Sequence, residues 1–446
     1  MTNSENLRDI VCDLLLEIEK TDVPSHVAIR RMLEKYQYLG NSERRFISRL
    51  TKGTLERRET LDWMINRFSS VKTKKMKPVI RTILRISVYQ MQYMDSVPVS
   101  AICNEAVKLA KKRGFKSLAG FVNGILRNMD RNPEKLVLPE DNLSVIYSQP
   151  EWLVEEWTKL YGMDQTKSMF EYFLKEQPLT VRVCKNRISI EEFKQRMEVQ
   201  GITAIQNPWV PEAFELKGLD YLGALPEFNE GLCTVQDVSS MLVAKAAGVQ
   251  PDNYVIDVCA APGGKSIHIS EMLGDAGKII ARDLTWNKVD LIEENIERLD
   301  AKHIYAECQD ALILVEEDIA SADVVIADLP CSGLGVIGRK ADIKYRVTKE
   351  DLISLADLQK EILKVVSQYV KPGGILIYST CTVNTKENQE NVQWFKENFP
   401  FELESLEGLV PEGIGSETVK QGYIQLLPGV YGTDGFFIAR FRRTLE

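Results

Sequence analysis

Apolar residues recur at intervals of three and four through the first third of the chain, a spacing that predicts helices. Leu7, Ile10, Val11, Leu14 and Leu15 form one such stripe, and Ile80, Ile83, Leu84, Val88 and Met91 another. The helical pattern runs from residue 4 to about residue 130. It is interrupted at Asp22-Val23-Pro24, Lys77-Pro78 and Val97-Pro98, where proline punctuates the helices. Residues 1–140 therefore predict an all-α bundle, closed by the linker RNPEKLVLPEDN.

Residues 141–235 are mixed. Helix-like stretches at 152–160 and 167–175 precede a strand at 179–184, a helix at 190–200 and short strand-like pieces, which together predict a small α+β linking subdomain. From residue 236 to 446 apolar runs of strand length alternate with helical spacing. The expected strands are 254–259, 278–282, 304–308, 323–327 and 374–379, with a further strand at 435–441. Such alternation predicts a Rossmann-like α/β domain with a doubly wound sheet, whose ligands bind at the carboxyl ends of the strands. The expected fold class is multidomain, without internal repeats or low-complexity tracts.

Composition adds limits. With 44% hydrophobic and 27% charged residues over 446 positions, the chain reads as a soluble globular protein. No apolar run reaches the ~18–20 residues that a membrane span needs. The first twenty residues are acidic and helix-periodic, unlike a signal peptide, so a cytoplasmic location without membrane contact is expected. The net charge of −8 is uneven: residues 1–140 carry 26 basic and 16 acidic side chains, a balance of +10. From Arg44 to Arg81 there are twelve basic residues against Glu56, Glu59 and Asp62. A charge run often marks only a solvated face, but this density and one-sidedness predict a polyanion-binding surface.

Eight cysteines (12, 103, 184, 233, 259, 308, 331 and 381) are scattered without a C-x-x-C pair, and histidine occurs three times. No metal site is expected from that set. In a reducing compartment most of these thiols should serve as small buried hydrophobes.

Two places promise chemistry. The first is YVIDVCAAPGGKS, a strand that turns through small residues into a helix. Gly263 and Gly264 allow close approach of a ligand to the backbone. A phosphate-binding Walker loop would need glycine at 259, where Cys259 stands, and the dinucleotide pattern G-x-G-x-x-G is absent. The remaining ligand class is S-adenosylmethionine. Asp283, Asp310 and Asp328 follow successive strands. Each alone could cap a helix or form a turn. Together they suit the ribose hydroxyls and adenine amine of that donor.

The second place is a pair of cysteines at the ends of neighbouring strands, in Asp328-Leu-Pro-Cys331-Ser-Gly and Ser379-Thr-Cys381-Thr. Carbon 5 of cytosine is a poor nucleophile until a thiolate adds to carbon 6 and makes an enamine. Asp328 is suitably placed to act beside N3 and the exocyclic amine. A second thiol could then serve departure of the product. Two ordinary buried cysteines are the alternative, which the Asp-x-Pro-Cys and Thr-Cys contexts disfavour.

At these residues the chain resembles the RsmB (Sun/Fmu) family of 16S ribosomal RNA cytosine-5 methyltransferases. The resembling motifs are Asp257-Val-Cys-Ala-Ala-Pro-Gly-Gly-Lys265, Asp328-Leu-Pro-Cys-Ser-Gly-Leu-Gly335, Pro372-Gly-Gly…Tyr378-Ser-Thr-Cys381 and Asp434-Gly-Phe-Phe. The N-terminal region is similar to the antitermination factor NusB in Arg49-Leu-Thr-Lys-Gly-Thr-Leu55, Thr60-Leu-Asp-Trp63, Val97-Pro-Val…Asn104-Glu-Ala-Val-Lys-Leu-Ala110 and Gly120-Phe-Val-Asn-Gly-Ile-Leu126. The resemblance implies that Cys381 attacks the base and Cys331 assists release. It implies that Cys259, Ala260, Ala261, Pro262, Gly263, Gly264, Lys265, Asp283, Asp310 and Asp328 contact S-adenosylmethionine. Lys265 and Asp328 would also lie beside the target base, cytosine 967 of 16S ribosomal RNA in that family.

Leu329, Ser266, Gly338 and Ala341 depart from commoner family residues; none carries a chemical role, though the last two could shift an RNA contact. The partner expected is 16S ribosomal RNA, without an obligate protein partner. An RNA-binding factor of antitermination type would explain the basic helices but neither the glycine loop nor the cysteines. An amino-group methyltransferase would carry Asn/Asp-Pro-Pro-aromatic where this chain has Asp-Leu-Pro-Cys. A DNA cytosine-5 enzyme would use Cys331 as nucleophile and has no need of Thr-Cys381.

Overall fold

The computed structural model describes residues 6–21, 23–219, 221–415 and 417–445. Residues 4 and 5 of the expected helical stretch, and Asp22 of its first break, lie outside them. The chain forms two compact units: Met1–Lys175 with Ile337–Arg346, and Glu176–Val336 with Val347–Glu446.

In the first unit the two stripes predicted from the sequence share one core. Ile10, Val11 and Leu15 of the helix Leu7–Lys20 pack in the same buried cluster as Ile80, Ile83, Leu84 and Val88 of the helix Pro78–Tyr93. Each such side chain, fully buried, contributes about 1.5–3 kcal/mol. The first helix starts where the Asn6 side chain accepts the Arg8 and Asp9 backbone N–H groups, at 3.0 and 3.3 Å. Pro78 opens the other helix at a position whose N–H would have no partner anyway.

This unit extends beyond residue 140, where the sequence pattern places its end. Thr60 Oγ1 donates to the Val145 carbonyl at 2.6 Å, and Ser148 Oγ accepts the Glu59 N–H at 2.9 Å. The helix Glu151–Leu174 is broken at Gly162, whose φ of 77° is left-handed, so two stretches lie on either side as the sequence suggests. Trp157 stacks on Phe170 across that break, with ring centroids 5.4 Å apart. Exposed basic residues of the Arg44–Arg81 run include Arg45, Arg49, Lys52, Arg67, Lys72, Lys74, Lys75 and Lys77.

Ile337–Arg346 enters this unit from far along the chain. The Asp342 carboxylate accepts the Ser25 N–H at 2.9 Å, and the Arg58 guanidinium lies 4.5 Å from the Tyr345 ring. Lys344, 1% exposed, donates to the carbonyls of Glu56 and Ser148 at 2.9 and 2.6 Å. Burial pulls its pKa down to about 7.

The second unit holds two sheets. The smaller contains β1 (Leu179–Val183), β2 (Thr203–Gln206), β3 (Ala213–Lys217) and β4 (Cys233–Val235), in the antiparallel order β2-β3-β1-β4. Arg182 on β1 is fully buried; it pairs with Glu271 and donates to Gln236 Oε1 at 2.8 Å.

The larger sheet contains β5 (Tyr254–Asp257), β6 (Lys278–Asp283), β7 (Ile304–Cys308), β8 (Ala322–Asp328), β9 (Val370–Thr380), β10 (Phe401–Leu403), β11 (Tyr423–Leu426) and β12 (Phe436–Arg443). Its order is β10-β12-β9-β8-β5-β6-β7, with β11 also pairing β12. Strands β5 to β9 are parallel, and β12 runs antiparallel to β9. All six strands read from the sequence are present. Strands β10 and β11, three and four residues long, were not among them. The direction of winding reverses between β5 and β8, which opens a crevice at their carboxyl ends. No helix among the described residues is long and apolar enough to cross a membrane.

Candidate active site

The loop that leaves β5 is folded tightly against β6. The Ala260 N–H donates to the Arg282 carbonyl at 2.8 Å, and the Ala261 N–H to Asp283 Oδ2 at 3.0 Å. Gly263 has φ of 96°, a left-handed conformation that favours glycine and leaves the turn without a side chain. Beneath it, the Asp257 carboxyl is buried and accepts the Ser266 hydroxyl. Burial pushes its pKa up to about 7, with the nearby Asp328 charge adding to the shift and Ser266 opposing it.

Asp283 closes β6, accepting the Leu284 N–H and the Lys288 ammonium, each at 2.8 Å. Asp310, just past β7, accepts the Leu312 N–H at 2.9 Å. Burial raises the thiol pKa of Cys259, and the charge of Asp257 acts in the same direction. Both effects favour the neutral thiol form of Cys259.

Asp328 ends β8 directly opposite Ser379 of β9. Its Oδ2 holds Lys265 Nζ at 2.5 Å, and its Oδ1 accepts the Ser379 hydroxyl at 2.7 Å. Burial disfavours the Lys265 ammonium, but the Asp328 carboxylate outweighs it, so the pKa of Lys265 is raised. The glycine loop and the end of β8 are thus joined by an ion pair.

Three residues beyond Asp328 and two beyond Ser379, the sulfur atoms of Cys331 and Cys381 lie 3.3 Å apart. That contact, and then burial, push the Cys331 thiol well above the ordinary thiol range. Cys331 therefore stays protonated and can donate its S–H to Cys381. Cys12, Cys184 and Cys233 are fully buried, and burial pushes each thiol up to about 12.

Close backbone packing fixes the two cysteine loops. The Gly335 N–H donates to the Cys381 carbonyl at 3.1 Å, and the Gly435 N–H to the Gly335 carbonyl at 2.9 Å. A Cβ on Gly335 would fall 2.0 Å from the Gly435 carbonyl oxygen, so only glycine fits there. The segments Asp328–Gly335, Cys381 and Asp434-Gly435, distant in sequence, meet at this point.

The structure brings Lys265, Asp328, Cys331 and Cys381 together, and sets Cys259–Gly264, Asp283 and Asp310 along the adjoining strand ends. Sequence reasoning passed over Ser379, although it stands inside a quoted motif. It also passed over the buried Glu387, six residues past Cys381.

Comparison with known proteins identifies the family and its domains. Residues 245–442 match the family model described as 16S rRNA methyltransferase RsmB/F. Residues 5–131 match the NusB family, and residues 149–219 the ferredoxin-like domain of RsmF/B-like methyltransferases. The "probable ribosomal RNA small subunit methyltransferase B" of Bacillus subtilis is 37% identical, across 98% of this chain and 99% of that protein. Ribosomal RNA small subunit methyltransferase B of Proteus mirabilis is 30% identical, over 98% of this chain and 99% of its own. Among solved structures, that of PH0851 superimposes with a TM-score of 0.83 at 24% identity, over 99% of both chains. A methyltransferase homolog protein from Pyrococcus horikoshii superimposes with a TM-score of 0.58 at 29% identity, covering 67% of this chain and 97% of that one. With a NusB domain, a ferredoxin-like domain and a methyltransferase domain in one chain, and relatives matched along its whole length, the protein belongs to the ribosomal RNA small subunit methyltransferase B family.

Proposed function

We propose that the chain transfers a methyl group from S-adenosylmethionine to carbon 5 of a cytosine in 16S ribosomal RNA, through a covalent bond between Cys381 and carbon 6. The observation that carries this reading is the pair of thiols 3.3 Å apart beside the Asp328–Lys265 ion pair. The names of the full-length relatives supply the RNA class.

The residues fit the methyl donor. Gly263 lets the loop turn tightly against Ile292, and the carboxylates of Asp283 and Asp310 stand at and just past the ends of adjacent strands. Carboxylates so placed suit a ribose diol and an adenine amine. The donor supplies an electrophilic methyl on a sulfonium sulfur.

The Cys381 thiolate adds to carbon 6, and the C5=C6 electron pair moves to carbon 5, which takes the methyl group as the sulfonium bond breaks. Lys265 meets the negative charge that builds on the ring, while Asp328 accepts from the exocyclic amine. Loss of the carbon 5 proton to a base re-forms the double bond and returns the C6–S electron pair to Cys381. Cys331, held as a thiol, donates a hydrogen bond to that departing sulfur. The cytosine must leave its stack to reach both thiol and donor.

Bisulfite sequencing of 16S ribosomal RNA tests the reading. RNA incubated with the enzyme and donor should keep one cytosine unconverted, at position 967 by resemblance to the family. Full conversion of every cytosine in RNA that has taken up labelled methyl would place the methyl elsewhere and defeat the proposal.

A further inference from the structure

We infer that Glu387 is the positioning residue that holds Cys331 in register with Cys381. This rests on the division of labour proposed above, and extends it to a residue outside the reacting set.

Glu387 is fully buried, and four neutral donors surround its carboxylate. Oε2 accepts the Ser332 N–H at 2.8 Å and Gln359 Nε2 at 3.0 Å. Oε1 accepts the Ser332 hydroxyl at 2.5 Å and Asn384 Nδ2 at 3.0 Å. Burying a carboxyl group is costly, and hydrogen bonds from its surroundings offset that cost.

Three of these four contacts converge on one peptide turn. Ser332 follows Cys331, and Gln359 Nε2 also donates to the carbonyl of Pro330, the residue before Cys331, at 2.9 Å. Both flanks of Cys331 are therefore fixed from the Glu387 side. Ser332 Oγ also lies 2.8 Å from Thr382 Oγ1, and Thr382 follows Cys381. The chain of contacts Glu387–Ser332–Thr382 thus spans the two cysteine loops one residue beyond each sulfur. Gln359 is itself oriented, since its Oε1 accepts Tyr378 Oη and Asn391 Nδ2, each at 2.9 Å.

Glutamine at 387 would keep the shape but replace one acceptor oxygen with a donor, among neighbours of which only the Ser332 hydroxyl can accept. With the amide nitrogen on the Oε1 side, the Ser332 hydroxyl must turn from donor to acceptor and Asn384 Nδ2 faces a donor, which loosens the turn that holds Cys331. Addition of Cys381 to the base needs no contact with Ser332, whereas release needs Cys331 against the leaving sulfur. A loss confined to release is the signature that distinguishes positioning from general damage to the fold.

The test compares Glu387→Gln, Ser332→Ala and Cys331→Ala in the full-length protein with a 16S ribosomal RNA fragment and S-adenosylmethionine. Methyl incorporation in a single turnover and protein–RNA adduct on a denaturing gel are read together. Glu387→Gln should keep the methyl-transfer step within about threefold of the parent, while adduct decay slows tenfold or more. Ser332→Ala, the milder change, should slow decay in the same direction and remains readable should Glu387→Gln fail to fold. Glu387→Asp, which restores acceptors at shorter reach, should recover part of the decay rate. If Cys331→Ala accumulates adduct while neither Glu387→Gln nor Ser332→Ala does, the positioning role is wrong and the division of labour stands. If Cys331→Ala accumulates none, the division of labour fails and this inference falls with it.

Discussion

Asp328 Oδ1 accepts the Ser379 hydroxyl at 2.7 Å from the directly opposed position of the neighbouring strand. Two parallel strands that end level with each other therefore deliver an acid and, two and three residues later, two thiols to one point. Strand register sets the level from which both loops start. A one-residue slip between β8 and β9 would turn Asp328 and Ser379 to opposite faces of the sheet.

The two thiols should separate cleanly by mutation. Cys381→Ala should abolish methyl transfer and give no covalent RNA adduct. Cys331→Ala should attack and methylate, then stall, giving a denaturation-resistant band that depends on S-adenosylmethionine. A band from Cys381→Ala and none from Cys331→Ala would reverse the assignment of nucleophile.

Donor binding should depend on Asp283. Asparagine there keeps an acceptor for the Ala261 N–H but loses the charge opposite Lys288, so Asp283→Asn is the gentler probe and Asp283→Ala the harsher. Removing a charged acceptor costs about 1–3 kcal/mol, so Asp283→Ala should raise the dissociation constant roughly 5- to 150-fold. Calorimetric titration of the full chain with S-adenosylmethionine reads it. Equal affinity in parent and both variants would remove Asp283 from the donor site.

The raised pKa of Asp257 makes a prediction about stability and pH. Its pKa is about 7 when folded, against 3.8 for the unperturbed group, so the folded state holds the proton over a range where the unfolded state has lost it. Stability must then fall as pH rises from about 4 to 7 through this group, by at most about 4 kcal/mol, and level off above. Asp257→Asn, which cannot ionise, should lack that fall. Urea unfolding of both proteins at several pH values checks it, with the difference between them shrinking towards low pH.

The exposed lysines at 72, 74, 75 and 77 lie in the densest basic stretch of the helical unit. Reversing Lys74 and Lys75 to glutamate should weaken RNA binding. The logarithmic salt slope should become shallower by about 0.7–0.9 for each phosphate that the protein no longer neutralises. Single-turnover methylation at saturating RNA should change little. Unchanged affinity and slope would identify the run as a solvated surface.

Much of this was legible in the residues. Most of the six strands read from the sequence carry apolar runs of the kind a covered sheet tolerates, and the stripes of the first helices carry the helical period. Strands β10 and β11 are short edge pieces with too few residues to show a period. The site was legible because its chemistry sits in short motifs at strand ends, such as Asp-Leu-Pro-Cys and Thr-Cys. Glu387 was not, since a lone glutamate before a helix reads as a solvated charge. Only the fold shows that four donors enclose it. The placement of Ile337–Arg346 in the helical unit was hidden for a related reason: its partners are residues about 200 to 300 positions away.

That segment changes what a domain boundary means in this chain. The polypeptide passes between the two units three times, after residues 175, 336 and 346, so no single cut divides them. A fragment beginning at Glu176 would carry Lys344 and Tyr345 without the carbonyls and guanidinium that enclose them. A stretch that is largely covered in the whole protein would become a partly apolar surface loop, beginning six residues beyond Cys331. Genetic dissection into halves should therefore yield aggregation-prone pieces, and a graft of the methyltransferase unit would need this stretch replaced by a polar linker. The path of the chain makes the two units one unit of inheritance.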